Sequence, residues 1–347
     1  MIQDLAIAGV YANHDHDPYA LTRDRNINDL FIANGHVFRT YKDQTIFERD
    51  EVLKEDGTPY TVFTPYAKRW RARMAIDGVA SYNSEGELGG LLKDSRNERI
   101  TLKQLGFEYA PYEVAPLEPA PALLKAYADD RNTPSIAGTT RIGVHLRFGT
   151  VSVRGMVRLA RANSETWLNE LIWREFFMQI LWHFPHVERN AFRKAYDAIA
   201  WRDDEKGFAA WCEGRTGYPL VDAGMRELRA TGFMHNRVRM VVASFLCKHL
   251  LIDWRLGEAW FARWLMDYEL SSNNGNWQWA AGSGCDAAPY FRVFNPTLQL
   301  ERFDPKMKYV LKWAPEYGEL KLPEQIVEHN AARERAIAVY KTALNKV

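Results

Sequence analysis

Apolar and polar positions alternate in two different rhythms along this chain. Residues 5–12 (LAIAGVYA) form a short, nearly unbroken apolar run, as a buried strand would. HVFRTY (36–41) and Thr45–Phe47 have the same strand-like character. Between them, Leu21, Ile27, Leu30 and Phe31 recur at helical spacing over 20–34, and Asn34-Gly35 is a helix stop. Strand–helix–strand alternation predicts an α/β unit. Only two or three strands precede residue 60, too few for a complete doubly wound domain. Thr64-Pro65 predicts a hydroxyl-capped helix start, and that helix carries Lys68, Arg69, Arg71 and Arg73. Periodicity is then lost over 76–122. Gly89-Gly90 and the proline-rich APYEVAPLEPAP (110–121) mark a long connection. From residue 123 the spacing is helical almost throughout, over 123–130, 151–162, 165–184, 222–232, 235–253, 257–270 and 331–346.

Composition narrows the classes. A chain of 347 residues suggests about two domains. The 47% hydrophobic and 26% charged content excludes disordered and fibrous classes. A net charge of +1 excludes a bulk polyanion binder but leaves room for a local basic patch. Cys212, Cys247 and Cys285 make no disulfide framework and lack metal-ligand spacing, which points to a reducing cytoplasm. The opening MIQDLAIAGVYANHDHD has no signal-peptide pattern, and no apolar run approaches the roughly 18 residues of a membrane span. Tryptophan is abundant: 11 of the 12 lie between Trp167 and Trp313. That density implies either a very aromatic core or a use for indoles in the chemistry.

Four stretches could carry chemistry. On the 165–184 helix, Trp167, Glu170, Trp173, Arg174 and Phe177 share an arc of roughly 120°. Such a face is either an ion pair under an aromatic core or a cleft wall that stacks a flat ligand. Asn236, Arg239, Met240 and Ala243 share one face of the 235–253 helix, while Val242, Phe245, Leu246 and His249 form its core stripe, with His249 structural. The segment 138–155 is rich in Gly and Thr, and six Arg with no acid lie between 131 and 164. That suits phosphate at a helix start, or simply a solvated basic face. Residues 264–296 set Asn, Ser and Gly beside a WxW after an acidic helix end. His14 and His16 form a weak metal candidate, and GSG at 282–284 lacks the dinucleotide fingerprint.

WLNELIWREFF (167–177), GYPLVDAGMRELRATGFMHNRVRMVVASFL (217–246), LLIDWRLGE (250–258) and SSNNGNWQWAAGSGCDAAPYFRVFNP (271–296) resemble the FAD-binding domain of the DNA photolyase/cryptochrome family. The likeness is strongest to class I type cyclobutane pyrimidine dimer photolyases. It implies an α/β fold, an incomplete Rossmann-like N-terminal domain over 1–75, then a linker over 76–122 and a large all-α FAD-binding and lesion-binding domain over 123–347. The implied activity is light-driven repair of cyclobutane dimers in ultraviolet-damaged DNA, with electron transfer from reduced FAD to a flipped-out dimer.

Carried over by position, the resemblance gives Tyr127, Thr139, Thr140, Arg141 and Ile142 to the FAD phosphates. Glycine stands at 143, where the family usually has serine. Trp167, Arg174, Asn236, Asp267, Glu269 and Asn273 belong to the cofactor pocket, with Asn273 facing flavin N5. Trp277, Trp254 and Trp201 match the photoreduction chain. Glu170, Trp173, Asn236, Arg237, Met240, Trp279 and Arg292 match the dimer and DNA contacts, with catalytic weight on Glu170, Asn273 and the three tryptophans. Asn236 and Met240, in place of the histidines of six-four relatives, favour cyclobutane dimers. The family's first strands are expected before MIQDLAIAGVY, and the resemblance assigns no antenna chromophore and no metal. It implies a cytoplasmic monomer that associates with the nucleoid on DNA, needing no membrane or obligate protein partner. Two alternatives stand beside repair: a cryptochrome-like blue-light receptor and an inactive, truncated flavoprotein.

Overall fold

The computed structural model describes residues 7–82, 84–91, 100–319 and 322–345. Strands β1 (Gly9–Asn13) and β2 (Val37–Tyr41) pair in parallel, with Gly9 opposite Val37 and Asn13 opposite Tyr41. Helix α1 (Pro18–Ala33) makes the crossover. Asp17 caps it by accepting from the Tyr19 N–H at 2.9 Å, and Pro18 occupies its first position. The strand expected over 5–12 is therefore found from Gly9 onward, its first two residues lying outside the described ones.

Thr45–Phe47 is not a strand. The N–H of Ile46 donates to Glu175 Oε2 at 2.7 Å, and that of Phe47 to Oε1 at 2.9 Å. Trp70 Nε1 adds a third bond to Oε1 at 2.6 Å. Backbone donors spent on a buried carboxylate are no longer available to a sheet. Helix α2 (Phe63–Asp77) starts ahead of the expected Thr64 cap, and no side chain caps it. Instead the Phe63 N–H donates to Asp286 Oδ2 at 3.2 Å. Within the 76–122 connection a short 3₁₀ segment spans Ser84–Gly90, and 92–99 lie outside the described residues.

The rest is helical. α3 (Pro121–Asp130), α4 (Gly143–Phe148), α5 (Val153–Asn163) and α6 (Glu165–His183) come first. α7 (Glu205–Glu213), α8 (Pro219–Thr231), α9 (Asn236–Ser244) and α10 (Trp254–Trp264) follow. α11 (Leu270–Ala281), α12 (Pro296–Phe303), α13 (Lys308–Trp313) and α14 (His329–Leu344) complete the chain. One core joins Phe47, Trp70, Leu124, Val157, Leu168 and Phe176, so the N-terminal unit and α3–α6 share a single interior. A second is built by α7–α11 and α13 around Trp211, Phe245, Trp254 and Trp277.

Two helix expectations change, and one helix was not expected. The run 235–253 is α-helical only to Ser244, and Phe245–Leu250 winds as a π-helix ended by Leu251 at φ 55°. In that stretch His249 Nε2 meets His329 Nδ1 at 2.9 Å, which docks α14. The helix expected over 257–270 occupies 254–264, so Asp267 lies in a loop and Glu269 becomes the cap of α11. The polar stretch after it is itself a helix. Asn274 Nδ2 donates to the Val187 carbonyl at 2.9 Å, and a side chain on Gly275 would overlap the Phe177 ring. Tertiary contacts here override weak helix propensity. No helix among the described residues is long and apolar enough to cross a membrane.

Candidate functional site

Two caps aim the walls of a cavity between α9 and α11. His235 Nδ1 accepts from the Arg237 N–H at 3.1 Å and starts α9, which sets Asn236, Arg239, Met240 and Ala243 along one face. That acceptor role needs a neutral ring. Burial, with Arg239, Arg237, Arg141 and Arg131 nearby, lowers His235 to about 4. Glu269 starts α11: its carboxylate accepts from the Ser271 and Ser272 N–H groups at 2.8 and 2.9 Å. One and two turns further on, Asn273, Asn276, Trp277 and Ala280 face the same space. With Phe261, Leu265, Asp267 and Trp279 they line a partly open cavity.

Its polar groups are ordered by pairs. Arg239 Nη2 bridges both Asp267 oxygens at 2.9 and 3.1 Å, while its Nε donates to the Met234 carbonyl at 2.7 Å. Asn273 Nδ2 donates to Glu258 Oε1 at 2.8 Å and to the Glu258 carbonyl at 3.1 Å. Burial raises the Glu258 carboxyl, and the Asn273 bond opposes it. Trp277 Nε1 is buried without a partner.

Asp267 also lines a neighbouring, partly open cavity bounded by Arg141, Val144, Thr231–Phe233 and residues 111–115. Arg141 holds φ 51°, with its guanidinium 4.2 Å over the Phe233 ring. Thr140 Oγ1 accepts from the Ile142 N–H at 3.4 Å just before α4. A Cβ on Gly143 would lie 3.0 Å from Asp267 Cβ. Glycine at this position lets the start of α4 close on the carboxylate that pairs with Arg239.

The cavities thus bring together Asn236, Met240, Asp267, Glu269, Asn273, Trp277, Trp279 and Arg141. Other predicted residues have different surroundings. Trp167 is 2% exposed and packs in the core with Leu168 and Ile172, which puts its indole in the packing of α6 rather than the cavity lining. Trp173 stacks on Phe63 at 3.6 Å, with Phe177 and Phe176 also against its ring at 5.5 and 5.6 Å. The guanidinium of Arg174 donates to the carbonyls of Gln44 and Leu146 at 2.6 and 3.4 Å. Tyr127 is buried on α3, beneath the Arg131 guanidinium at 5.5 Å. Thr139 precedes the Arg141 turn, and Arg292 lines a small hollow with Trp279 and Lys248. Of the three chain tryptophans, Trp254 is buried at the start of α10. Trp277 packs edge-on against Trp211 at 6.1 Å and Phe261 at 4.9 Å, and Trp201 against Tyr340 at 5.9 Å.

The sequence assigned no role to Glu258, the last residue of the 250–258 stretch, and none to Arg131 beyond its place in the basic cluster. Arg239 had a visible signal, its place on the Asn236 and Met240 face. The pairing of Glu258 with Asn273 had none, because only folding brings α10 beside Asn273. His14 and His16 bracket Glu48 at 2.7 and 3.5 Å. Burial opposes its ionisation, yet the two histidines hold Glu48 down at about 2.

An aromatic-walled space with an unpaired indole N–H, an amide, two carboxylates and an arginine suits the ring edges and ribose hydroxyls of FAD. Residues 167–336 match the FAD binding domain of DNA photolyase, and residues 1–83 match DNA photolyase. A deoxyribodipyrimidine photo-lyase of Halobacterium salinarum is 36% identical over 98% of this chain and 80% of its own length. A relative of the same name from Agrobacterium fabrum is also 36% identical, over 98% of this chain and 81% of its own length. The crystal structure of a bacterial class III photolyase from Agrobacterium tumefaciens superposes with a TM-score of 0.83 and 33% identity, covering 100% of this chain and 81% of that one. The matched stretches include the residues that line this cleft as well as the α/β start, and the chain belongs to the DNA photolyase/cryptochrome family.

Proposed function

We propose that this chain is a deoxyribodipyrimidine photo-lyase, repairing cyclobutane pyrimidine dimers in ultraviolet-damaged DNA under light. The observation that carries the reading is the single cavity that gathers Asn236 and Met240 with Asn273, Trp277 and Trp279 beneath the Arg239–Asp267 pair. Bound there in its fully reduced form, FAD would lend a photoexcited electron to the dimer and recover it once the cyclobutane ring has split. Asp267, Glu269 and Arg239 hold its ribose side and Asn273 its ring edge. The phosphates belong to the Thr139–Ile142 turn. A neutral amide at 273, engaged through Nδ2 with Glu258, presents no carboxylic proton to the ring, which suits an anionic reduced flavin.

The lesion would be read by shape and edges. Trp279 and Trp173 stack flat bases, and Asn236 and Glu170 bond their polar edges. Arg237, Arg292 and the arginines between 141 and 161 engage phosphates, so binding weakens with salt. Trp277, Trp254 and Trp201 pass electrons inward for photoreduction, because an indole can carry a transient radical cation. The test uses FAD-loaded protein, a dimer-containing oligonucleotide and blue light. Dimers vanish in the light and persist in the dark; a fully flavin-loaded sample that leaves them intact under illumination rejects the reading.

A further inference from the structure

The side chains assigned to DNA are steadied in two ways. Glu170 and Arg237 have side-chain partners: Arg131 Nη1 donates to Glu170 Oε1 at 2.6 Å, and Asn132 Oδ1 accepts from Arg237 Nη2 at 2.6 Å. Trp279 and Arg292 meet instead around one ring. Phe294 lies 6.3 Å from the Trp279 ring and 5.9 Å from Arg292 Cζ. Their aim is therefore set by the two backbone segments that carry them, the end of α11 and the return segment 282–295. One buried side chain ties those segments together. Lys248, on the π-helical turn, is 1% exposed. Its Nζ donates to the Ala281 carbonyl at 2.8 Å and to the Tyr290 carbonyl at 3.3 Å, and lies 3.7 Å from the centre of the Tyr340 ring. Ala281 closes α11 just beyond Trp279, and Tyr290 lies just before Arg292.

We propose that Lys248 is a positioning residue that sets the spacing of Trp279 and Arg292 by drawing the Ala281 and Tyr290 carbonyls onto one ammonium group. The proposal rests on the photo-lyase reading, in which those two side chains face DNA. A buried ammonium is a costly way to fill space, and methionine would pack a similar volume without a charge. Burial lowers the Lys248 ammonium to about 7, yet its three donors match two carbonyls and a ring face. The place also suits a cation. The last carbonyl of a helix has no partner within the helix and lies at the negative end of its dipole. Tyr340 Oη donates to the same carbonyl at 2.8 Å, and its ring stacks on Tyr290 at 5.9 Å, so α14 braces the tie. Lys248 lies buried in the hollow that Trp279 and Arg292 also line, where it cannot reach a phosphate itself.

The test measures dark binding, by fluorescence anisotropy, of dimer-containing and undamaged oligonucleotides to the FAD-loaded protein. In K248M, affinity for the dimer falls about tenfold, and affinity for undamaged DNA falls less. The flavin-to-protein ratio and the rate of light-driven repair at saturating DNA stay at the wild-type level, so the loss lies in binding alone. R292A lowers the salt slope by about one, and K248M lowers it too, although a buried lysine meets no phosphate. In an R292A background K248M leaves the salt slope as it is, and the two affinity losses fall short of their sum. Should K248M fail to fold, K248Q keeps one donor for the Ala281 carbonyl and lowers dimer affinity about threefold. Unchanged binding in either variant, or fully additive losses in the R292A, K248M double variant, would overturn the proposal. So would a loss of flavin in step with the loss of binding, which would make Lys248 a packing residue only. Wild-type protein that binds both DNAs alike fails the photo-lyase reading instead.

Discussion

Glu175 offers the sharpest test of how the N-terminal unit is held. Its carboxylate accepts from the Ile46 N–H, the Phe47 N–H and Trp70 Nε1 at 2.6 to 2.9 Å, and it is 3% exposed. Burial pushes its carboxyl up to about 7 against the pull of those donors and of Arg174, so at pH 8 it is mainly ionised. Replacement by alanine strands three buried donors. Each orphan costs about 1–3 kcal/mol, and water entering the vacated space recovers part of that. A net loss of about 3–5 kcal/mol is expected, a fall in melting temperature of roughly 10 °C. In E175Q the amide keeps one acceptor but turns its NH₂ toward one donor, and the loss should be about 1–3 kcal/mol.

The consequence extends to the cleft. Arg174 bonds the Gln44 carbonyl in the same loop, and Phe63, next to it in the core, covers one face of Trp173. Loosening the loop should therefore also speed flavin loss. Urea unfolding at pH 8, followed by tryptophan fluorescence and by release of flavin, measures both. An E175A protein within about 0.5 kcal/mol of the wild type would refute the idea that one carboxylate clamps the 44–47 loop to α6.

Other substitutions probe the cavity. His235 sits at about 4 when folded and near 6.5 when unfolded, so the unfolded chain binds the extra proton and stability falls as pH drops through that window. Relative to H235N, the wild type should lose about 3 kcal/mol between pH 7 and pH 4, read by urea unfolding at each pH; a constant gap would contradict it. In G257A the new methyl overlaps the Trp277 ring. Displacing that ring should cost about 1–3 kcal/mol and slow photoreduction of bound flavin, followed by its absorbance under blue light. N273D places a second carboxylate 2.8 Å from Glu258, so one of the two must carry a proton at neutral pH. Infrared difference spectra should then show a protonated carboxyl that is absent from the wild type. G143S presses on Asp267 and should weaken FAD retention through the Arg239 pair, measured by the flavin-to-protein ratio after dialysis.

What could be read from sequence, and what could not, follows from how far each signal reaches along the chain. The helices that keep a 3.6-residue stripe were legible, α6 nearly to the residue. So was the parallel strand–helix–strand start, because β1, α1 and β2 satisfy their own backbone bonds locally. Local pattern misled where a distant group took over. Thr45–Phe47 reads as a strand, but its donors belong to Glu175, about 130 positions away. Leu270–Ala281 shows no helical stripe, because Ser, Asn and Gly disfavour helix; the Glu269 cap and the fit of Gly275 against Phe177 make it one. The site divides in the same way. Residues on one helix face, such as Asn236, Arg239 and Met240, share a periodic signal. Pairs that join two segments, Asn273 with Glu258 and Glu170 with Arg131, have none. Membership of one helix face is thus written in the periodicity, whereas the pairing of two segments is written only in the topology.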